Sequence, residues 1–285
     1  MNGICELYKT YSELKESHIY PKFVINYTKK TGSKFLRKLE EPNKRMQDGI
    51  KLHLLSKKAE QKFSLREKWF AENIFVPYLK GQTELKYTEE LFFFTISFLW
   101  RIIVLELKTS KNLKTTWYYD QIIKTEKEWR LFLSKGIFPK NYNKTYLFFT
   151  DRIKENNSGL KGVDFYLTRV MDATIVSNKS ENFLAIYGKF NKFIFWGNIV
   201  NFGNEEKLNE VEINPIKGKF RIPQNLDYFP INSFLGNRIK GISNFPSPNE
   251  KQQKKIEEEI LKNIETFWET DAGQSIYNDN FNLNN

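Results

Sequence analysis

Glu16-Ser17-His18-Ile19-Tyr20-Pro21-Lys22-Phe23 decides how the N-terminal part of this chain reads. One of only two histidines sits on a short apolar strand, which a proline closes and a basic amphipathic segment follows. Upstream, Cys5 and Tyr8 stand three residues apart. Downstream comes Leu54-Leu55-Ser56-Lys57-Lys58-Ala59-Glu60, where Ser56 and Ala59 occupy the positions that two cysteines of a C-x-x-C would hold. The layout is a strand histidine between two knuckles, with a helix after the second.

Around this stretch lies a chain of 285 residues, long enough for a sizeable core and one to two domains. Its 40% hydrophobic and 16% aromatic content is that of a folded globular protein. A single cysteine excludes a disulfide framework and any cysteine-rich zinc site built from this chain alone. The N-terminus carries no apolar signal core, and the strongest apolar run, Leu91 to Leu107, is interrupted by Arg101 and Glu106 and falls short of the about 20 residues a membrane span needs. The expectation is a soluble, cytoplasmic protein with no membrane partner. The net charge of +11 is unevenly placed, with 17 Lys/Arg against 9 Asp/Glu in residues 1–80 and 4 against 8 in residues 250–285. A basic region beside an acidic tail suits an anionic partner, nucleic acid above all. A solvated, lysine-biased surface is the competing reading, because 36 of the 45 basic residues are Lys, which lacks the fork of Arg.

The patterning predicts an α+β chain in four stretches: a ββα-like module over 1–80, a helical region over 81–138, an antiparallel β-rich region over 139–250, and a C-terminal helix and tail over 251–285. In the first, strands are expected at Ile4–Tyr8, Leu14–Ile19, Phe23–Tyr27 and Ile50–Leu55, with a turn at Thr31-Gly32 and a polar loop from Asn43 to Gly49. Ala59 to Leu79 has helical periodicity, with Ser64-Leu65-Arg66-Glu67 reading as a capping box inside it. Thr88 to Leu107 is apolar nearly all round and therefore central. A third helix runs over Thr125–Ser134 and stops at Gly136. Beyond Pro139, Tyr146–Thr150, Val163–Val170, Ala173–Val176, Phe183–Tyr187, Phe193–Val200 and Val211–Ile213 are strand-like, with a hairpin around Lys189–Lys192. Pro215 to Pro248 reads as a loop-rich connector, and Lys251 to Trp268 as one charged amphipathic helix.

The N-terminal stretch resembles a family of bacterial proteins labelled HNH-endonuclease-like, whose modules are of ββα-metal type. The match runs through Cys5; Ser17, His18, Ile19, Pro21, Lys22 and Phe23; Pro42, Asn43, Arg45, Gln47, Asp48 and Gly49; and Leu54, Leu55, Glu60, Phe63 and Ser64. Helix positions Glu67, Phe70, Ala71, Ile74, Phe75 and Pro77 also fit. The resemblance covers about residues 3–80 and carries no function beyond residue 107. It implies a metal-dependent phosphodiesterase in which a histidine takes a proton from the attacking water and a divalent ion, Mg or Mn, holds the scissile phosphate. The chain departs from that pattern at Tyr8, Ser56 and Ala59, three of the four zinc-cysteine positions, so a structural zinc is not expected. Ser17 stands where an aspartate or histidine commonly binds metal.

Residue by residue, each functional reading stands beside a plain one. His18 is either the general base or a structural histidine bonded to a loop carbonyl. His53, one strand period before Leu55, is the second histidine. Asp48 is a metal ligand or ordinary turn chemistry beside Gly49, and Glu60 is a metal-site carboxylate or compensation of the helix dipole. Lys22, Lys29, Lys30, Lys34, Arg37, Lys38, Lys44 and Arg45 are candidate phosphate contacts or a solvated face. Trp100-Arg101 reads as core plus a snorkelling charge, and Phe195-Trp196 as rings that stack on bases or, the better reading, as sheet core. The function expected is HNH-like nucleic-acid processing with His18 as base. The alternative is a catalytically inactive descendant that binds nucleic acid or protein, for example as a subunit of a bacterial defence or mobile-element system assembled through the C-terminal helix.

Overall fold

The structure is a computed structural model, and it describes all residues except 141–143, 202, 204, 226–227, 243 and 283–285. The last three residues of the expected tail therefore lie outside the described residues. The class is α+β. The chain opens with β1 (Asn2–Ile4), a tight turn, and β2 (Tyr11–His18), which pair antiparallel. Helix α1 (Lys22–Lys30) and a long loop lead to β3 (Lys51–Ser56), the antiparallel partner of β2, in a register that sets His18 opposite Lys51. Helix α2 (Lys57–Phe70) follows β3 at once and runs through a π-helical turn (Ala71–Phe75) into α3 (Val76–Leu79).

Phe23–Tyr27, expected as a strand, is the middle of α1. Pro21 supplies the N-cap position with its φ already near the helical value, and Val24 and Ile25 are buried on the inner side. The aromatic and β-branched content that reads as a strand is here the apolar stripe of a one-sided helix. The start of α2 also differs from expectation. Ser56 is its N-cap, its hydroxyl accepting from the Ala59 amide at 3.4 Å, whereas Ser64 lies inside the helix and bonds back to the Gln61 carbonyl. Expected strand Ile4–Tyr8 gives way after Ile4 to the turn that returns the chain to β2, closed by Lys9 N–H to the Cys5 carbonyl at 2.7 Å.

Strand β4 (Glu84–Thr88) pairs with β9 (Lys217–Arg221), and α4 (Glu89–Thr109) begins at Thr88, whose hydroxyl accepts from the Glu90 amide. Thirteen residues of α4 are buried, as its all-round apolar character requires. Helix α5 (Tyr119–Lys135) packs on it and ends at Gly136, which takes the left-handed conformation. The four-stranded antiparallel sheet has the order β5-β8-β7-β6, from β5 (Thr145–Phe149), β6 (Asp172–Ser177), β7 (Leu184–Phe190) and β8 (Phe193–Val200). A two-residue turn at Asn191-Lys192 joins β7 to β8, with Asn191 at a φ of 46°, a left-handed value Asn tolerates.

Period-two alternation divides the sheet's side chains between two cores. Leu184, Ile186, Phe190, Phe193 and Phe195 face α4 and the N-terminal module, while Ala185, Tyr187, Ile194 and Trp196 face α6 (Val163–Arg169) and α7 (Phe229–Ile242). The first of these cores is continuous from Cys5 to Phe220, so residues 1–80, α4 and the sheet share one interior. Gly188 lets α4 approach: a Cβ there would lie 2.6 Å from both Ile102 Cδ1 and Phe98 Cε1.

Four further expectations change. Val163–Val170 is helix α6, with Val163, Tyr166 and Arg169 recurring every third residue on its buried side. Val211–Ile213 is extended and bonded to Thr145 and Leu147, but it makes one isolated bridge and no strand. The stretch 215–248 carries β9 and α7, because its prolines fall beside these elements or in the first turn of α7. The C-terminal helix is interrupted: α8 (Glu250–Leu261), α9 (Ile264–Phe267) and α10 (Asp271–Tyr277) follow in sequence.

Candidate functional site

The site grows from the end of β2. His18 leaves the strand half-buried, and its Nε2 lies 3.0 Å from Asp48 Oδ1. Asp48 comes from the loop before β3. Its Oδ1 also accepts the Gly49 amide at 3.0 Å, and its Oδ2 meets Lys51 Nζ at 2.6 Å. Because the register sets Lys51 across from His18, the carboxylate sits between an imidazole and an ammonium. Burial pushes the Asp48 carboxyl up, but the bonds from Lys51, His18 and the Gly49 amide outweigh it and hold it down at about 2. Among the described residues His18 Nδ1 takes no hydrogen bond.

Glu60, in the first turn of α2, belongs to a second group. Burial raises its carboxyl, partly offset by the Ser17 hydroxyl and the charge of Arg101, while Glu67 pushes it further up. Its Oε1 is buried with no hydrogen-bond partner, and so is Arg101 Nη2. Arg101 is only 3% exposed and does not snorkel. It donates to the His18 carbonyl at 2.9 Å, pairs with Glu67 Oε1 at 2.8 Å and lies over the Phe63 ring. One guanidinium thus ties the strand bearing His18 to α2 and α4. The sequence signal was there: an arginine inside an otherwise apolar, all-round buried helix needs partners, and those partners define a site.

Asp48 has both oxygens engaged, one by a lysine, and Glu60 stands apart with Ser17 and Arg101. Among the described residues, no three of His, Cys, Asp and Glu gather in a way that could hold a metal. At the knuckle positions, Cys5 and Ala59 are fully buried, and Cys5 Sγ accepts the Ser56 amide at 3.3 Å. Tyr8 packs against the core with Lys58 over its ring. Backbone bonds, an N-cap and packing hold the hairpin together. His53 is exposed on β3 and joins none of these groups.

The eight predicted cations lie on α1 and the loop that follows it. Lys22, Lys30, Lys34, Lys38 and Lys44 are exposed, while Lys29, Arg37 and Arg45 are half-buried. Lys29 reaches the Gln47 carbonyl at 2.9 Å, Arg37 the Pro42 carbonyl at 3.4 Å, and Arg45 lies over the Phe35 ring. Among the described residues none of the eight forms an ion pair with a carboxylate. The carboxylates of the N-terminal module go elsewhere: Glu6 to Lys9 and Lys108, Asp48 to Lys51, and Glu67 to Arg101. The loop is closed by a bridge between Leu36 and Met46, and α1 is anchored at its C-terminal end, where Arg169 donates to the Thr28 carbonyl at 2.8 Å and the Thr31 hydroxyl at 2.7 Å.

No protein-family model, curated protein or solved structure matches this chain. No helix among the described residues is long and apolar enough to cross a membrane.

Proposed function

We propose that residues 3–80 form an HNH-like, ββα-type module and that the protein binds nucleic acid through α1 and the 31–45 loop. The observation that carries this reading is the concentration of charge left uncompensated there: eight Lys/Arg against two Glu between residues 22 and 45, with none of the eight in an ion pair among the described residues. A surface kept only soluble would intersperse the two signs, whereas phosphates neutralise a one-sign surface and release counterions. The test is oligonucleotide binding by fluorescence anisotropy at several salt concentrations. Affinity should fall steeply with salt, and each Lys→Ala or Arg→Ala change among the contacting positions should reduce the log–log slope by about 1. Binding indifferent to salt, or unmoved by four such substitutions together, would refute it.

A second reading, phosphodiester cleavage with His18 as general base, is favoured by the His18–Asp48 pair. Asp48 on Nε2 steadies the imidazolium, leaving Nδ1 to accept the proton of an attacking water. The resemblance adds a divalent ion, Mg or Mn, to this reading, with no ligand set assigned to it. Plasmid and RNA cleavage in Mg²⁺, Mn²⁺ or EDTA, compared between wild type and His18→Ala, decides it. Cleavage that is lost in H18A supports the reading, and its loss or survival in EDTA tells whether a divalent ion takes part; cleavage surviving H18A removes His18 as the base.

A further inference from the structure

Helix α8, with four Glu against three Lys and its acidic residues 257–259 together, lies across the basic loop, and its contacts there are polar. Glu259 Oε1 accepts from the Lys34 amide at 3.3 Å and from the Ser33 hydroxyl at 3.4 Å. At the other end of α8 the Asn249 amide donates to Asn43 Oδ1 at 2.8 Å. Near the first contact is Arg37, close enough to Arg45 and to Glu259 to feel both charges. Arg37 is pushed down by burial first and by Arg45 second, and Glu259 counters both. The helix buries no residue of its own. Glu257, Glu258 and Glu259 form no ion pair among the described residues. A single carboxylate oxygen received by a backbone N–H and a hydroxyl, with the Arg37 guanidinium near, has the surroundings a phosphate oxygen finds on a nucleic-acid-binding surface.

We infer that the Ser33–Lys34 turn with Arg37 is a phosphate subsite, that Glu259 fills it from within the same chain, and that a nucleic-acid strand displaces α8 to reach it. This rests on the nucleic-acid reading above and adds a named contact and a built-in competitor. Displacement costs little, because the helix is held by a handful of surface hydrogen bonds and, of its apolar residues, only Ile256 and Ile260 are half-buried. A polyanion bound at the neighbouring cations also brings its next phosphate to the subsite at high local concentration.

The experiment compares Glu257→Gln, Glu258→Gln and Glu259→Gln one at a time in the full chain, with a 5′-fluorescein single-stranded oligonucleotide as probe. Glutamine keeps an accepting oxygen, so the helix stays intact while the charge goes. Glu259→Gln should bind about threefold to fivefold tighter, the scale of one surface charge contact removed, and more than either neighbour. Adding Ser33→Ala to E259Q should reverse part of that gain, because one donor to the incoming phosphate oxygen is then missing. Cys5 is buried and is the sole cysteine, so a nitroxide placed at exposed Lys255 through Lys255→Cys reports on α8 alone; its mobility should rise when the oligonucleotide binds. Equal gains from all three glutamines, or binding that leaves the nitroxide unchanged, overturn the cis-competitor while leaving the nucleic-acid reading intact. If neither wild type nor the E257Q/E258Q/E259Q triple variant binds any oligonucleotide, both fall.

Discussion

The four-stranded sheet and the 31–50 loop are built on opposite principles. Every residue of β5 and β7 is buried, and aromatic rings from α1, α2, α4 and the sheet interlock: Phe70 stacks on Phe94 at 4.1 Å and meets Phe193 and Phe195 at 5.7 Å. Even the cation on β7 is internal. Lys189 is fully buried, its amine pushed well down by burial, and it is retained by the carbonyls of Val170 and Asn191 and the face of Tyr166. The loop holds itself by one two-bond bridge and a few side-chain contacts, and it leaves its lysines Lys34, Lys38 and Lys44 exposed. Rigidity lies in the sheet and available charge in the loop, the division expected when a scaffold presents a contact surface.

The sharpest way to break this contrast is to cut the ring cluster that joins the module to the sheet. Phe70→Ala should cost about 3–5 kcal/mol, the range for emptying a filled aromatic site, read from chemical denaturation. A cost under about 1 kcal/mol would mean that the cavity collapses freely and that the two regions do not share a tightly packed interior. Arg101→Met comes next. It keeps the volume on α4 but strands Glu67 and the His18 carbonyl, so a loss of about 3 kcal/mol is expected. The double variant R101M/E67Q should recover part of it; no recovery would mean the guanidinium acts through packing on Phe63 rather than through charge.

How much of this could be read beforehand follows the same division. Helices α4 and α5, the β7–β8 hairpin and the β2–β3 pair were legible because periodicity and turn chemistry are local, and Gly136 marked its stop without help from the fold. The helices α1 and α6 were not, because Phe23–Tyr27 and Val163–Val170 carry strand-like residue types and only burial on one side selects the helix. At the site, His18 and Asp48 were visible as candidates. Lys51 was not, because its place across from His18 depends on a register with an irregularity at Lys15/Glu16. Arg101 sits 83 residues from His18 in sequence, and only the packing of α4 against β2 brings them together. The contact between Glu259 and the loop is longer-range still, and net charge alone could only say that the two ends of the chain were opposite in sign.

The smallest expected effect tests the most specific feature of the candidate site. Asp48 is held at about 2, below its ordinary value, so its ion pair and hydrogen bonds stabilise the folded chain above about pH 4 and that contribution disappears as pH falls towards 2. Asp48→Asn removes the charge at every pH. At pH 7 the variant should be less stable by roughly 0.5–1 kcal/mol, because the carboxylate is partly exposed and solvent screens its pair with Lys51. Between pH 4 and 2 the gap should close, since the wild type then becomes neutral at this position too. Parallel denaturation curves for the two proteins at pH 7, 4 and 2.5 measure it. A gap that stays constant with pH would show that Asp48 holds the loop through its neutral hydrogen bonds and places no working charge against His18. The base assignment would then lose its support, while the cation-rich surface beside it would be unaffected.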